Sequence, residues 1–156
     1  MSRLLEPRLP PDVRALLDAD LSSSVGLTLL LLTISPDGWP HQAMISCGEI
    51  AALSDERVAL ALWPSSTAAR ALAHGGRATV TLVLPPTAYA LRLEVEPAGD
   101  LETPLAGRLA RFSATVTAAA ADEAPYATLE SGVRYSLKDP EQVVARWREV
   151  REALRA

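Results

Sequence analysis

At 156 residues, with 49% hydrophobic and 22% charged side chains, the chain has the size and composition of one globular domain with a proper core, not of a disordered segment. Its formal charge of −4 is spread over mixed acids and bases without a basic cluster, and aromatics are only 4%; this argues against nucleic acid as a partner, which demands a concentrated positive face or stacking platforms. The longest apolar run, Val25 to Ile34, is about half the length that crosses a bilayer, the amino terminus shows no signal-peptide pattern, and Cys47 is the single cysteine, so no membrane span and a reducing, cytoplasmic location are expected.

Pro10-Pro11-Asp12 reads as a helix start, followed by Val13, Leu16, Leu17 and Leu21 at spacings of three and four. Consecutive leucines from Gly26 to Ile34 leave neither face fit for water and predict a central strand. Ser35-Pro36-Asp37-Gly38 carries the residues of a tight hairpin, so Pro40 to Cys47 should pair back as a second strand. Gly48 to Glu56 is open between a helical turn at Glu49–Leu53 and a plain turn. Arg57 to Leu62 alternates Val58, Leu60 and Leu62 with Arg57, Ala59 and Ala61, a half-buried third strand.

Trp63-Pro64-Ser65-Ser66-Thr67-Ala68-Ala69-Arg70-Ala71-Leu72 is then a strand-to-helix corner, with a helix expected to end at Gly75-Gly76. Three consecutive hydroxyls at such a corner, with Arg70 about a turn further on, suit a phosphate; Ser65 or Ser66 serves equally well as a plain helix cap. Strand four is read from Arg77 to Leu84 and strand five from Tyr89 to Glu96. Pro97 to Pro104 reads as a loop, and Leu109 to Ala118 as strand six. Ala119 to Pro125 has no assignment, and Val133 to Leu137 is a short extended piece. The last helix is capped by Asp139, opens on Pro140, places Gln142 for a capping box, and carries the stripe Val143, Trp147, Val150 and Leu154; Arg151 and Arg155 lie where the helix dipole favours positive charge.

Six hairpin-linked strands with a helix after the third describe a mainly β, antiparallel barrel with helices outside it. The divisions are an N-terminal helical segment over 1–25, a barrel core over 26–118, and a C-terminal extension and helix over 119–156. No dinucleotide fingerprint or phosphate-binding loop motif is present in the sequence, and the two histidines are not tied to Cys47 by a catalytic motif.

Leu29-Leu30-Leu31-Leu32-Thr33-Ile34 with Ser35-Pro36-Asp37-Gly38-Trp39-Pro40-His41, then Asp55-Glu56-Arg57-Val58-Ala59-Leu60, then Ser65-Ser66-Thr67-Ala68-Ala69-Arg70-Ala71-Leu72 leading into Arg77–Leu82, resemble in order and separation the pyridoxamine 5′-phosphate oxidase-like family of FMN-binding split barrels. The resemblance covers about residues 26 to 96. It implies a six-stranded split barrel, a homodimer, and FMN in a groove between subunits. It also implies a phosphate site at Ser65, Ser66, Thr67 and Arg70, with Met44, Ile45 and Ser46 facing the isoalloxazine and Trp63 closing one side of it. Aligned on Arg70-Ala71-Leu72, Ser66 falls at the family's serine and Thr67 where a basic residue is usual. Strand two offers His41, Gln42 and Ser46 but no Lys or Arg.

The resemblance therefore implies an FMN-dependent oxidoreductase on an unknown small substrate, with no catalytic side chain or metal required because the cofactor transfers the hydride. The basic residues are too few for the two phosphates that pyridoxamine 5′-phosphate oxidase itself would hold. The alternative is a barrel that has lost flavin and serves as a dimeric binding or sensing module, or that binds deazaflavin or haem.

Overall fold

Ser35-Pro36-Asp37-Gly38 folds as the expected tight turn. In the computed structural model, which describes residues 2–156, Gly38 N–H donates to Ser35 O at 2.8 Å and Ser35 N–H to Trp39 O at 2.9 Å, while Gly38 takes φ +88°, open to glycine at no steric cost. The turn joins β2 (Leu29–Ile34) to β3 (Pro40–Ile45) in an antiparallel pair. Pleating sends Leu29, Leu31 and Thr33 of β2 into the core. Leu30, Leu32 and Ile34 face outward, half-buried to 58% exposed, so one face of this apolar strand stays in part open.

The expected mainly β, antiparallel barrel with flanking helices is what the chain forms, with two short strands beyond the six expected. β1 (Ser2–Leu5) pairs along Ala119–Asp122, and β4 (Ile50–Ala52) occupies the open stretch Gly48–Glu56. The remaining strands are β5 (Arg57–Leu62), β6 (Gly76–Leu84), β7 (Thr87–Thr103) and β8 (Gly107–Asp122), in the order β3-β2-β6-β7-β8-β5-β4. The two ends of this path, β3 and β4, are consecutive in sequence and joined only by residues 46–49. The sheet therefore curls until its edges nearly meet, and this seam is where the barrel is split.

Several expectations are corrected by long-range pairing. Pro97–Pro104 is not a loop: β7 runs on to Thr103, with Pro97 and Gly99 at a register irregularity between Pro97 and Asp100, so the turn-forming residues make a bulge. The unassigned alanines 119–121 are the end of β8, paired on both sides. Val133–Leu137 contributes one isolated bridge, Arg134 to Leu27, while Tyr135 and Leu137 pack on the core. The corner helix α2 (Thr67–Ala71) stops well short of Gly75-Gly76 because Leu72 leaves helical geometry at φ −101°, ψ 5°.

Helix α1 (Pro11–Asp18) buries Val13 and Leu17, and Leu21 opens a separate 3₁₀ turn over Leu21–Ser24. Helix α3 (Pro140–Arg155) starts with the Asp139 side chain accepting from Gln142 N–H at 3.3 Å. Val144 is buried where Val143 was expected, alongside Trp147, Val150 and Leu154. This helix lies on its own barrel: Val150 and Leu154 pack on Ala51, Ala59, Ala61 and Leu109. Both faces of β5 are thereby buried, and alanines at 59 and 61 are what let a helix approach so closely. Arg151 and Arg155 do not simply end the helix. Arg151 Nη1 donates to Ala19 O at 2.6 Å and Arg155 Nη2 to Leu17 O at 3.2 Å, pinning α3 to the carbonyl end of α1.

Candidate functional site

The seam residues Ser46-Cys47-Gly48-Glu49 form a tight turn that folds a carboxyl group inward. Glu49 N–H donates to Ser46 O at 3.1 Å, closing a turn, and Ala61 N–H donates to Glu49 O at 2.9 Å, tying that turn to β5. The Ser46 hydroxyl donates to Glu49 Oε1 at 3.1 Å and accepts from Gly48 N–H at 3.2 Å. Glu49 is thus folded back under its own turn. Burial pushes its carboxyl above the usual range, against the pull of the Ser46 hydrogen bonds and the charge of Arg146.

Two hollows flank this carboxyl. The larger, about 250 Å³, is lined by Thr28, Met44, Ile45, Ser46, Glu49, Tyr135, Leu137, Val143, Arg146 and Trp147. The smaller, about 30 Å³, lies towards Trp63 and Ala61 and shares Glu49, Arg146 and Trp147 with the first. Arg146 makes no ion pair and no side-chain hydrogen bond among the described residues, and the buried Tyr135 hydroxyl has no partner. Cys47 is fully buried; burial raises its thiol pKa, against opposing pulls from Ser24 and Arg151, which fits a packing residue and not a nucleophile.

The corner is built differently. Ser66 sits at φ −69°, ψ 151° and its hydroxyl accepts from Ala69 N–H at 3.1 Å, so it caps α2. Its own hydrogen is left to donate elsewhere. Ser65 and Arg70 are exposed and Thr67 is half-buried, and Arg70 has no ion pair among the described residues. Of the residues expected to form the site, Met44 (64% exposed), Ile45 and Ser46 line the larger hollow and Trp63 (54% exposed) the smaller; Ser65, Ser66, Thr67 and Arg70 line neither. Ile45 is in the core and the Ser46 hydroxyl is already bonded, so β3 offers a ligand mainly Met44 and its backbone.

No family model matches the chain. An uncharacterised protein of Bacillus subtilis, YclD, is 40% identical over 126 residues, covering 81% of each chain. The chain belongs to the YclD family. Its fold is that of the pyridoxamine 5′-phosphate oxidase-like split barrels: a Lactobacillus delbrueckii structure described as a candidate pyridoxamine 5′-phosphate oxidase superposes with a TM-score of 0.57 at 14% identity, over 75% of this chain and 98% of the other. An FMN-binding protein of Syntrophomonas wolfei gives 0.42 at 18% identity, over 75% of this chain and 85% of that one.

In this YclD-family barrel, sequence reasoning missed Glu49, Tyr135 and Arg146. Glu49 stands at the head of the apolar run Ile50-Ala51-Ala52, an acid where a strand was about to be buried, which is the one local signal available. Arg146 carries none: on α3 it reads as one more solvated residue until the helix is laid across the seam.

Proposed function

We propose that the chain is a homodimeric, cytoplasmic FMN-binding oxidoreductase acting on a small substrate. The observation that carries this reading is Arg70, an exposed guanidinium without an ionic partner among the described residues, one turn beyond the hydroxyls of Ser65, Ser66 and Thr67 at the strand-to-helix corner of a split barrel. These groups fit a phosphate in kind: the hydroxyls donate and Arg70 neutralises. The name of the Lactobacillus relative points the same way.

Bound FMN would supply hydride transfer, and the protein's part is orientation and exclusion of water. Arg70 and the corner hydroxyls would hold the phosphate end. Exposed Met44 and the backbone of Ile45 and Ser46 would face the ring, and Trp63 would close one side. The outer row Leu30, Leu32 and Ile34, left half-buried to exposed beside Met44, supports a second subunit covering this face.

A flavin-free binding or sensing module is the second reading. What favours it is charge: β3 bears no Lys or Arg, Thr67 replaces a cation, and Ser66 is committed to its cap, so one guanidinium would face nearly two negative charges. The visible spectrum of the purified protein, followed by FMN titration, decides. A flavin spectrum or saturable quenching of FMN fluorescence, weakened about tenfold or more by Arg70→Ala, is expected. Colourless protein that gains no thermal stability from excess FMN would refute the first reading, and a deazaflavin or haem band would replace it.

A further inference from the structure

We propose that the larger hollow at the seam binds a small carboxylate with an apolar body, the carboxylate paired with Arg146 and hydrogen-bonded by the Glu49 carboxyl, the body lying against Ile45, Leu137, Val143 and Trp147. This goes beyond the flavin reading and does not need a flavin to be bound.

Three observations converge on it. First, Arg146 and Glu49 line one space without forming an ion pair, and Arg146 makes no other ion pair or side-chain hydrogen bond among the described residues. A guanidinium presents a planar fork of donors that a carboxylate matches in bidentate fashion, so this is the group the site leaves unanswered. Second, the hollow of about 250 Å³ has the room of roughly eight waters, enough for a ring or short branched chain with one acidic group. Its walls are apolar on the α3 and C-terminal side, the make-up of a small-molecule site with few convergent polar groups. Third, burial keeps the Glu49 carboxyl neutral to higher pH than usual, so the group beside Arg146 donates a hydrogen bond to a bound carboxylate where an ionised one would repel it.

The groups facing Glu49 are Ser46 from its own turn, Arg146 from α3, and Tyr135 from the C-terminal segment, behind which lies Cys47. Tyr135 and Cys47 are both pushed up by burial and stay neutral through the middle pH range. Glu49 is then the group whose ionisation changes the site's affinity for an anion.

Benzoate titrated into flavin-free protein, followed by calorimetry and by the fluorescence of Trp147 and Trp63, tests this. Saturable binding is expected, strongest at the acid end of a pH titration and several-fold weaker once the pH has climbed past the raised Glu49 value, with benzyl alcohol at least tenfold weaker than benzoate. Arg146→Ala should weaken benzoate tenfold or more and Arg146→Lys restore part of it, each variant first checked for an unchanged melting temperature. Glu49→Gln should bind benzoate with the pH dependence gone. No saturable binding, equal affinity for benzyl alcohol, indifference to Arg146→Ala in a folded variant, or a pH dependence that survives Glu49→Gln would overturn the proposal.

Discussion

The Trp147 indole lies directly over Gly48, so closely that a Cβ on Gly48 would come 2.1 Å from Trp147 Cγ and 2.3 Å from Cδ1. Gly48 does not have the positive φ that only glycine favours; what it supplies is room. Trp147 in turn is buried against the barrel and walls both hollows at the seam. One missing side chain therefore sets how closely α3 can press on the β3–β4 linker, and with it the position of Arg146.

Gly48→Ala should destabilise by about 1–3 kcal/mol, because the ring it strikes is buried against the barrel and has to be displaced from its packing. Thermal or urea unfolding measures this. Trp147→Leu in the same background should recover part of the loss, since the clash is with the indole; costs that simply add would show that the two residues do not meet.

Cys47 should resist labelling in the native state. Its thiol is fully buried and burial raises its pKa, so iodoacetamide at neutral pH should modify it only as fast as the fold opens. Rapid, stoichiometric modification of the folded protein would contradict the packing.

Glu49 should make stability fall with rising pH. Its folded pKa is raised above the ordinary 4.5, so the neutral carboxyl is favoured by folding; that contribution is complete below 4.5 and is lost as pH climbs through the raised value. Glu49→Gln, neutral at every pH, should flatten this part of the profile. Urea unfolding of both proteins across the range checks it, and parallel profiles would show that Glu49 does not carry the dependence.

Ser66 allows its two possible roles to be separated. Ser66→Ala removes the cap of a five-residue helix and should cost about 1 kcal/mol. Ser66→Asp keeps a capping oxygen but sets a negative charge at the proposed phosphate seat, so it should melt near the wild type yet bind FMN far more weakly than wild type. Undiminished FMN binding by Ser66→Asp would move the phosphate away from this corner.

Much of the fold was readable because its signals are local. The turn at Ser35–Gly38, the span of β5 over Arg57–Leu62, a serine cap at the corner, narrowed to Ser65 or Ser66, and the Asp139 cap each follow from a few neighbouring residues whose backbone chemistry admits few alternatives. β1 and the end of β8 were not readable in the same way. Ser2–Leu5 is a strand because it finds Ala119–Asp122 more than a hundred residues on, and Ala119–Asp122 because it lies between Ser2–Leu5 and β7; neither alternates polar and apolar residues strongly enough to announce itself.

The candidate site divides along the same line. By itself the sequence determined a strand-to-helix corner with three hydroxyls and one arginine, since these are adjacent in the chain. Only tertiary structure decided that Glu49 and Arg146 share a hollow and that alanines 59 and 61 lie beneath α3. Those facts depend on where a C-terminal helix lands on a barrel seam. That landing is set by shape, by the room left at Gly48 and beside small side chains, which no pattern of neighbouring residues encodes.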